Sequence, residues 1–197
     1  MIGKDAGRLS WFRSLPPYAA ALGLVFITGI VLLAMGRVPI CACGTIKLWH
    51  GVVFSSENSQ HISDWYTFTH VLHGILFYAL LWWLKPEWSV GQRFVVAVAI
   101  ESAWEIAENT PLIIDRYRAA TISLDYYGDS VLNSLSDIAA MVVGFALAAL
   151  IPVWASVALV VVVEAGLAYA IRDNLSLNIL MLVHPLDVVK AWQAAGS

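Results

Sequence analysis

Residues 131–171 read VLNSLSDIAAMVVGFALAALIPVWASVALVVVVEAGLAYAI, two long apolar runs parted only by Ile151 and Pro152. A helix needs roughly 20 mostly apolar residues to cross about 30 Å of hydrocarbon with its backbone hydrogen bonds satisfied internally. The runs 131–150 and 153–171 meet that requirement, and the proline between them marks a tight turn. This pair sets the class as an α-helical membrane protein, and three further spans are found upstream. Residues 94–112 form one, although Glu101, Glu105 and Glu108 lower its hydropathy enough to hide it from a window scan. Residues 69–84 form another, ended by Lys85-Pro86-Glu87, with Trp82, Trp83 and Trp88 clustered as rings are at a membrane interface. The first, 17–35, is opened by Pro16-Pro17, which suit a helix's first turn, and follows Lys4, Arg8 and Arg13. It is too long for an ordinary signal peptide and lacks a clean small-x-small cleavage site, so it is read as a retained span. Downstream, residues 175–183 are too few to cross before His184-Pro185, which points to an interfacial or re-entrant helix. The expected fold is all-α and polytopic: a single integral membrane domain over 1–197, with about five transmembrane helices and a short C-terminal interfacial helix. No internal repeat or low-complexity segment is found.

Composition agrees. Of 197 residues, 60% are hydrophobic and 13% charged, against about a quarter charged in a soluble domain. The net charge of -3 comes from 11 basic and 14 acidic residues, with no run of like charge. Nucleic acid is therefore not an expected partner, and there is no polybasic lipid anchor. Cys41 and Cys43 cannot make a disulfide framework; they are read as incidental thiols, with a soft-metal pair or a strained bridge as alternatives. Five spans starting inside put Lys4, Arg8, Arg13, Lys85 and Arg93 in short cytoplasmic segments, while Arg37, Lys47, Arg116, Arg118, Arg172 and Lys190 are spread over much longer stretches on the other side. The density of basic residues favours a cytoplasmic N-terminus.

With that topology the polar residues converge. His70 and His73 lie in the outer turns of the second span, Glu108, Glu105 and Glu101 descend along the third, and Asp129, Asn133, Ser136 and Asp137 open the fourth. Positions three, four and seven apart share a helix face, so each of these spans carries one polar stripe in the outer half of the bilayer. Ala140 and Gly144 continue the Asp/Asn stripe and Gly74 sits beside the histidines, small residues that let helices approach closely. An ionised side chain costs roughly 2.5 to 3.5 kcal/mol in hydrocarbon, so such residues face the bundle interior and pair there. Three glutamates on one stripe need protons, cations or donors. The histidines, the amide of Asn133 and the hydroxyls of Ser134 and Ser136 are available, and a divalent metal would supply more. Imidazole with carboxylate suits zinc, iron or manganese. Each group also has a plainer reading: the histidines as interfacial hydrogen-bonding residues, a single glutamate as a packing hydrogen bond. Glu164, alone among valines, is read that way, as a protonated or paired acid. His50 and His61 are read as solvated, His184 is unassigned, and Trp11, Trp49, Trp65 and Trp192 are read as interface anchors.

The segments HISDWYTFTHVLHG at 61–74, ESAWEIAEN at 101–109 and YGDSVLNSLSD at 127–137 resemble a proteobacterial family of multi-pass inner-membrane proteins of unknown function, over nearly the whole chain. More distantly, the last segment looks like the acidic pattern of VanZ-like membrane proteins. The resemblance implies an inner-membrane location and supports the span count; it carries no catalytic residues with it.

Three functions are open on this reading. The first is a metal-assisted hydrolase or transferase acting on a lipid or lipid-linked substrate, with His70, His73, Glu105, Glu108 and Asp137 as metal ligands. Glu101, Glu105, Glu108, Asp129, Asn133 and Asp137 are then its candidate catalytic groups, although no GxSxG, HExxH or Walker sequence is present. The second is a cation- or proton-handling accessory, which with five spans and no inverted repeat would need an oligomer or partner. The third makes the cluster a hydrogen-bonded packing core.

Overall fold

A computed structural model describes residues 15–121 and 124–195; Lys4, Arg8, Trp11 and Arg13 lie outside the described residues. Among those described there are eight helices and no strand, with one isolated bridge between His50 and Asp64. The helices are α1 (Leu15–Ala34), α2 (Thr67–Leu84), α3 (Val90–Glu108), α4 (Pro111–Ala120), α5 (Val131–Leu150), α6 (Val153–Ile171), α7 (Leu175–Val183) and α8 (Asp187–Ala194). Four of them, α1, α2, α5 and α6, are long and apolar enough to cross a membrane. Helix α3 has comparable length at 19 residues, but its glutamates keep it out of that set.

The limits of α3 correct the sequence reading. It starts earlier than residue 94, because Ser89 accepts from the Gln92 N–H while the Gln92 side chain accepts from the Ser89 N–H, a capping box that satisfies two otherwise orphaned donors. It also stops before residue 112. Pro111 opens a separate helix, where its missing N–H costs nothing, and it biases Thr110 toward the extended conformation that Thr110 adopts. At the C-terminus two short helices stand where one was expected, with His184–Leu186 as the break.

Helices α2 and α5 run parallel and meet backbone to backbone. A Cβ on Gly74 would lie 2.0 Å from the Met141 carbonyl oxygen, and one on Gly144 would lie 1.9 Å from that of Val71. The small residues noted in both stripes therefore set this contact. Beside it, Met141, Phe145 and Ile138 of α5 pack with Phe94, Ala97 and Val98 of α3 and with Leu81 and Ala21 in one apolar cluster.

The long segment between α1 and α2 folds over the N-terminal end of α5. The first backbone donors of a helix have no partner within it. Here Ser59, Val38 and Pro39 carbonyls take the N–H groups of Ser130, Val131 and Leu132 at 3.1, 2.8 and 3.1 Å, and the Ser130 hydroxyl takes that of Asn133. This segment also corrects two expectations. His61 and His50 are buried, not solvated, at 1% and 7% exposure. The Lys47 backbone N–H donates to His61 Nδ1 at 3.3 Å, which leaves Nε2–H to donate to Glu57 at 3.0 Å. Lys47 pairs with the same carboxylate, and its hydrogen bond with that of His61 holds the Glu57 carboxyl down to about 2. Cys41 and Cys43 are joined as a disulfide, not left as two thiols; the turn between them brings their Cα atoms to 5.1 Å, within the usual span of such bridges.

Candidate functional site

The three polar stripes meet at one end of the bundle. Glu101 is fully buried and accepts from two imidazoles, His70 Nδ1 at 2.6 Å and His73 Nδ1 at 3.1 Å. His70 stands at the centre: Glu105 lies 3.5 Å from its Nδ1, and Asp137 3.9 Å from its Nε2. Within this cluster two groups have ligand atoms all within 4.8 Å of one another and could hold a metal ion, His70/His73/Glu101 and His70/Glu105/Glu108, and they share His70. Both carboxylate oxygens of Glu105 and Oδ1 of Asp137 are buried without a hydrogen-bond partner, a costly state for acidic oxygens that a cation or proton would relieve.

Asp129 sits at the rim. It accepts from the Asn109 amide at 2.8 Å and from the Tyr126 hydroxyl at 3.0 Å, while its own backbone N–H donates to Asn109 Oδ1 at 2.7 Å. Burial outweighs these donors and pushes its carboxyl up to about 6; burial likewise drives the Tyr126 and Tyr117 hydroxyls well above their ordinary value. The Tyr117 hydroxyl donates to Asn178 Oδ1 at 2.9 Å. Of the expected donors, Asn133 turns away from the acids and gives its amide to the His61 carbonyl at 2.9 Å, and the Ser136 hydroxyl bonds back to Leu132. Asn133 thus fastens the overlying segment to α5 instead of joining the cluster.

A cavity of about 360 Å³ adjoins these groups, lined by His70, His73, Glu108, Asp129 and Asp137 and by residues that sequence spacing does not single out. Asn109 had a signal, since it continues the Glu101/Glu105 stripe by another four residues. Tyr117, Tyr126 and the α7 wall had none, because they arrive through chain reversals. Helix α7 is held against the cavity at both ends. The Glu164 carboxylate accepts from Leu175 N–H at 2.9 Å and Ser176 N–H at 3.1 Å at its start, and Arg116 Nε donates to the Leu182 carbonyl at 2.8 Å at its finish. Both charges have the sign that the helix dipole favours. Glu164 is thus paired, with backbone amides and not with another helix's side chain.

Comparison with known proteins gives a family without an assigned activity. The family described as "Protein of unknown function (DUF2585)" matches residues 32–195. The UPF0314 protein of Paracoccus denitrificans is 58% identical over 188 residues, covering 95% of this chain and 97% of its own. Its counterpart in Rhizobium meliloti is 61% identical over 177 residues, 89% of each chain, and that of Sphingopyxis alaskensis 50% identical over 179 residues, 91% of this chain and 95% of its own. No solved structure matches. A family match across α2 to α8 and the last three residues of α1, with relatives identical at half or more of the aligned positions, makes this chain a member of the DUF2585 family.

Proposed function

We propose that this chain is a five-span bacterial inner-membrane protein, with its N-terminus in the cytoplasm, that uses a divalent transition metal to hydrolyse or transfer a lipid or lipid-linked substrate. The membrane reading rests on four apolar helices whose outward residues, such as Leu22, Phe26, Val157 and Val161, are exposed. Helix α3 is the fifth span: Glu101 and Glu105 are fully buried within the bundle, so the residues that depress its hydropathy need not meet lipid. The orientation rests on the density of basic residues in the short segments and on Lys85, which follows α2 at the end opposite the cluster; Arg93, expected beside it in a cytoplasmic segment, is instead buried in the first turn of α3.

One observation carries the metal: Glu105 and Asp137 have buried oxygens without a hydrogen-bond partner around His70, where two ligand groups intersect. Two imidazoles and several carboxylates suit zinc, iron or manganese. Such an ion would lower the pKa of a bound water and polarise the substrate, with Glu108 or Asp137 placed to move the proton. The adjoining cavity favours this over a packing core, which would fill that space with side chains. Elemental analysis of the purified protein tests it. At least one transition metal per chain is expected, with occupancy falling about tenfold or more in His70→Ala and Glu105→Gln. Protein without metal whose thermal stability is unchanged by chelator would overturn the reading.

A further inference from the structure

The cavity has a polarity axis that two of its walls report independently. Along α2 the lining passes from Tyr66 and Thr69 through His70 and His73 to Leu76 and Phe77; along α3, which runs the other way, it passes from Glu108 through Trp104 to Ile100. Both walls therefore turn apolar toward the same end. Leu76 and Ile100, from two different helices, line that end and are themselves exposed. The cavity thus opens sideways between helices, where lipid would lie, and α7 closes the facing side with Leu175, Asn178, Ile179 and Leu182 on one helical stripe.

The polar end has a definite charge character. It offers the carboxyls of Glu108, Asp129 and Asp137 and the rings of Trp104, Tyr117 and Tyr126, and no Lys or Arg is among its described lining residues. Asp137 is 5% exposed, and its Oδ1 has no hydrogen-bond partner. Carboxylates and aromatic faces attract an organic cation through charge and through the ring quadrupole. A phosphate or carboxylate head would instead meet three carboxyls, and the only basic side chains in the lining, His70 and His73, already give their Nδ1 to Glu101. We propose that this cavity takes an amphiphile by an ammonium head group, its alkyl chain leaving through the opening at Leu76 and Ile100. The proposal shares the cavity, and His70, His73 and Glu108 within it, with the reading above, but it does not require the metal, since Asp129, Asp137 and the aromatic rings belong to neither metal group. A phospholipid with an amine or quaternary-ammonium head and a free long-chain amine present the same chemistry.

Calorimetric titration of the full chain in phosphatidylglycerol nanodiscs, with octylammonium, octyltrimethylammonium and octyl phosphate as probes, tests this. Either ammonium is expected to bind at least about tenfold more tightly than the phosphate, and Asp137→Asn and Trp104→Leu each to weaken it about fivefold or more. Equal or tighter binding of octyl phosphate, or unchanged affinity in both variants, overturns the proposal. If Asp137→Asn does not fold, Tyr126→Leu and Trp104→Leu decide. Native mass spectrometry of protein exposed to mixed phosphatidylethanolamine and phosphatidylglycerol separates the sources: selective retention of phosphatidylethanolamine assigns a lipid head, and ammonium preference without it assigns a free amine. Repeating the titration in chelator separates the two readings of the cavity. Metal-free protein that still prefers the ammonium upholds this proposal whatever becomes of the metal, while metal-loaded protein that prefers the phosphate upholds the metal and overturns this one.

Discussion

Asp173 shows how one residue fastens distant segments. It follows the left-handed Arg172 that ends α6, and its carboxyl accepts from the Tyr66 hydroxyl at 3.0 Å, the Gln193 amide at 3.1 Å and the Asn174 N–H at 2.9 Å. Burial nevertheless dominates and pushes it from 3.8 up to about 6. Because the folded value lies above the unfolded one, its contribution to stability is complete below about 4 and is lost as pH rises through about 6, by up to about 3 kcal/mol. The amides of Leu175 to Asn178 should therefore exchange hydrogen more slowly at pH 5 than at pH 7, after correction for intrinsic rates. Asp173→Asn should remove that difference, and a difference that persists in the variant would assign it to another group. Glu57 has the opposite sign. Its carboxyl is held near 2 by Lys47 and His61, so its contribution is present above the ordinary 4.5 and fades as pH falls toward 2.

At the scale of the element, the α2–α5 contact and the seating of α7 make separate predictions. Replacing Gly74 or Gly144 by Ala places a methyl within 2.0 Å of a backbone carbonyl oxygen, which no rotamer change relieves. Each variant should lose about 3 kcal/mol or more, a cost typical of overpacking against rigid neighbours, seen as a lower midpoint in thermal unfolding in detergent. Gly23→Ala on α1 is the control: nothing lies within 4 Å of its Cβ, and alanine favours the helix by up to about 1 kcal/mol, so the midpoint should stay or rise. For α7, Arg116→Ala removes the cation at its last carbonyls and Glu164→Gln the anion at its first amides. Both should raise hydrogen exchange across Leu175–Val183 while leaving α2 and α5 protected; loss of protection throughout the bundle would mean that α7 is integral to the core.

For the whole molecule, the proposed topology places the two termini on opposite sides of the membrane. An alkaline phosphatase fused after Ala195 should be active, and a green fluorescent protein fused before Met1 should fluoresce; the reverse pattern would invert the orientation. Much of the architecture was open to reading from periodicity and length, as in the helix pair at 131–150 and 153–171 and the short segment 175–183. The convergence of His70, Glu101, Glu105 and Asp137 was open for the same reason: polar groups at three- and four-residue spacing on apolar helices have to face inward, and the alternating directions of α2, α3 and α5 bring them to one end. What folds back from outside a helix was not open in this way. The burial of His61, the turning of Asn133 toward its carbonyl, the break before Pro111 and the closure of the cavity by α7 depend on which loop reaches which helix end. The sequence by itself determined the helices and the faces they bury, because solvent chemistry acts on each segment separately. Only the tertiary structure decided which donors the acids receive and where the cavity opens, because hydrogen bonds between segments far apart in the chain form only after packing has fixed their positions.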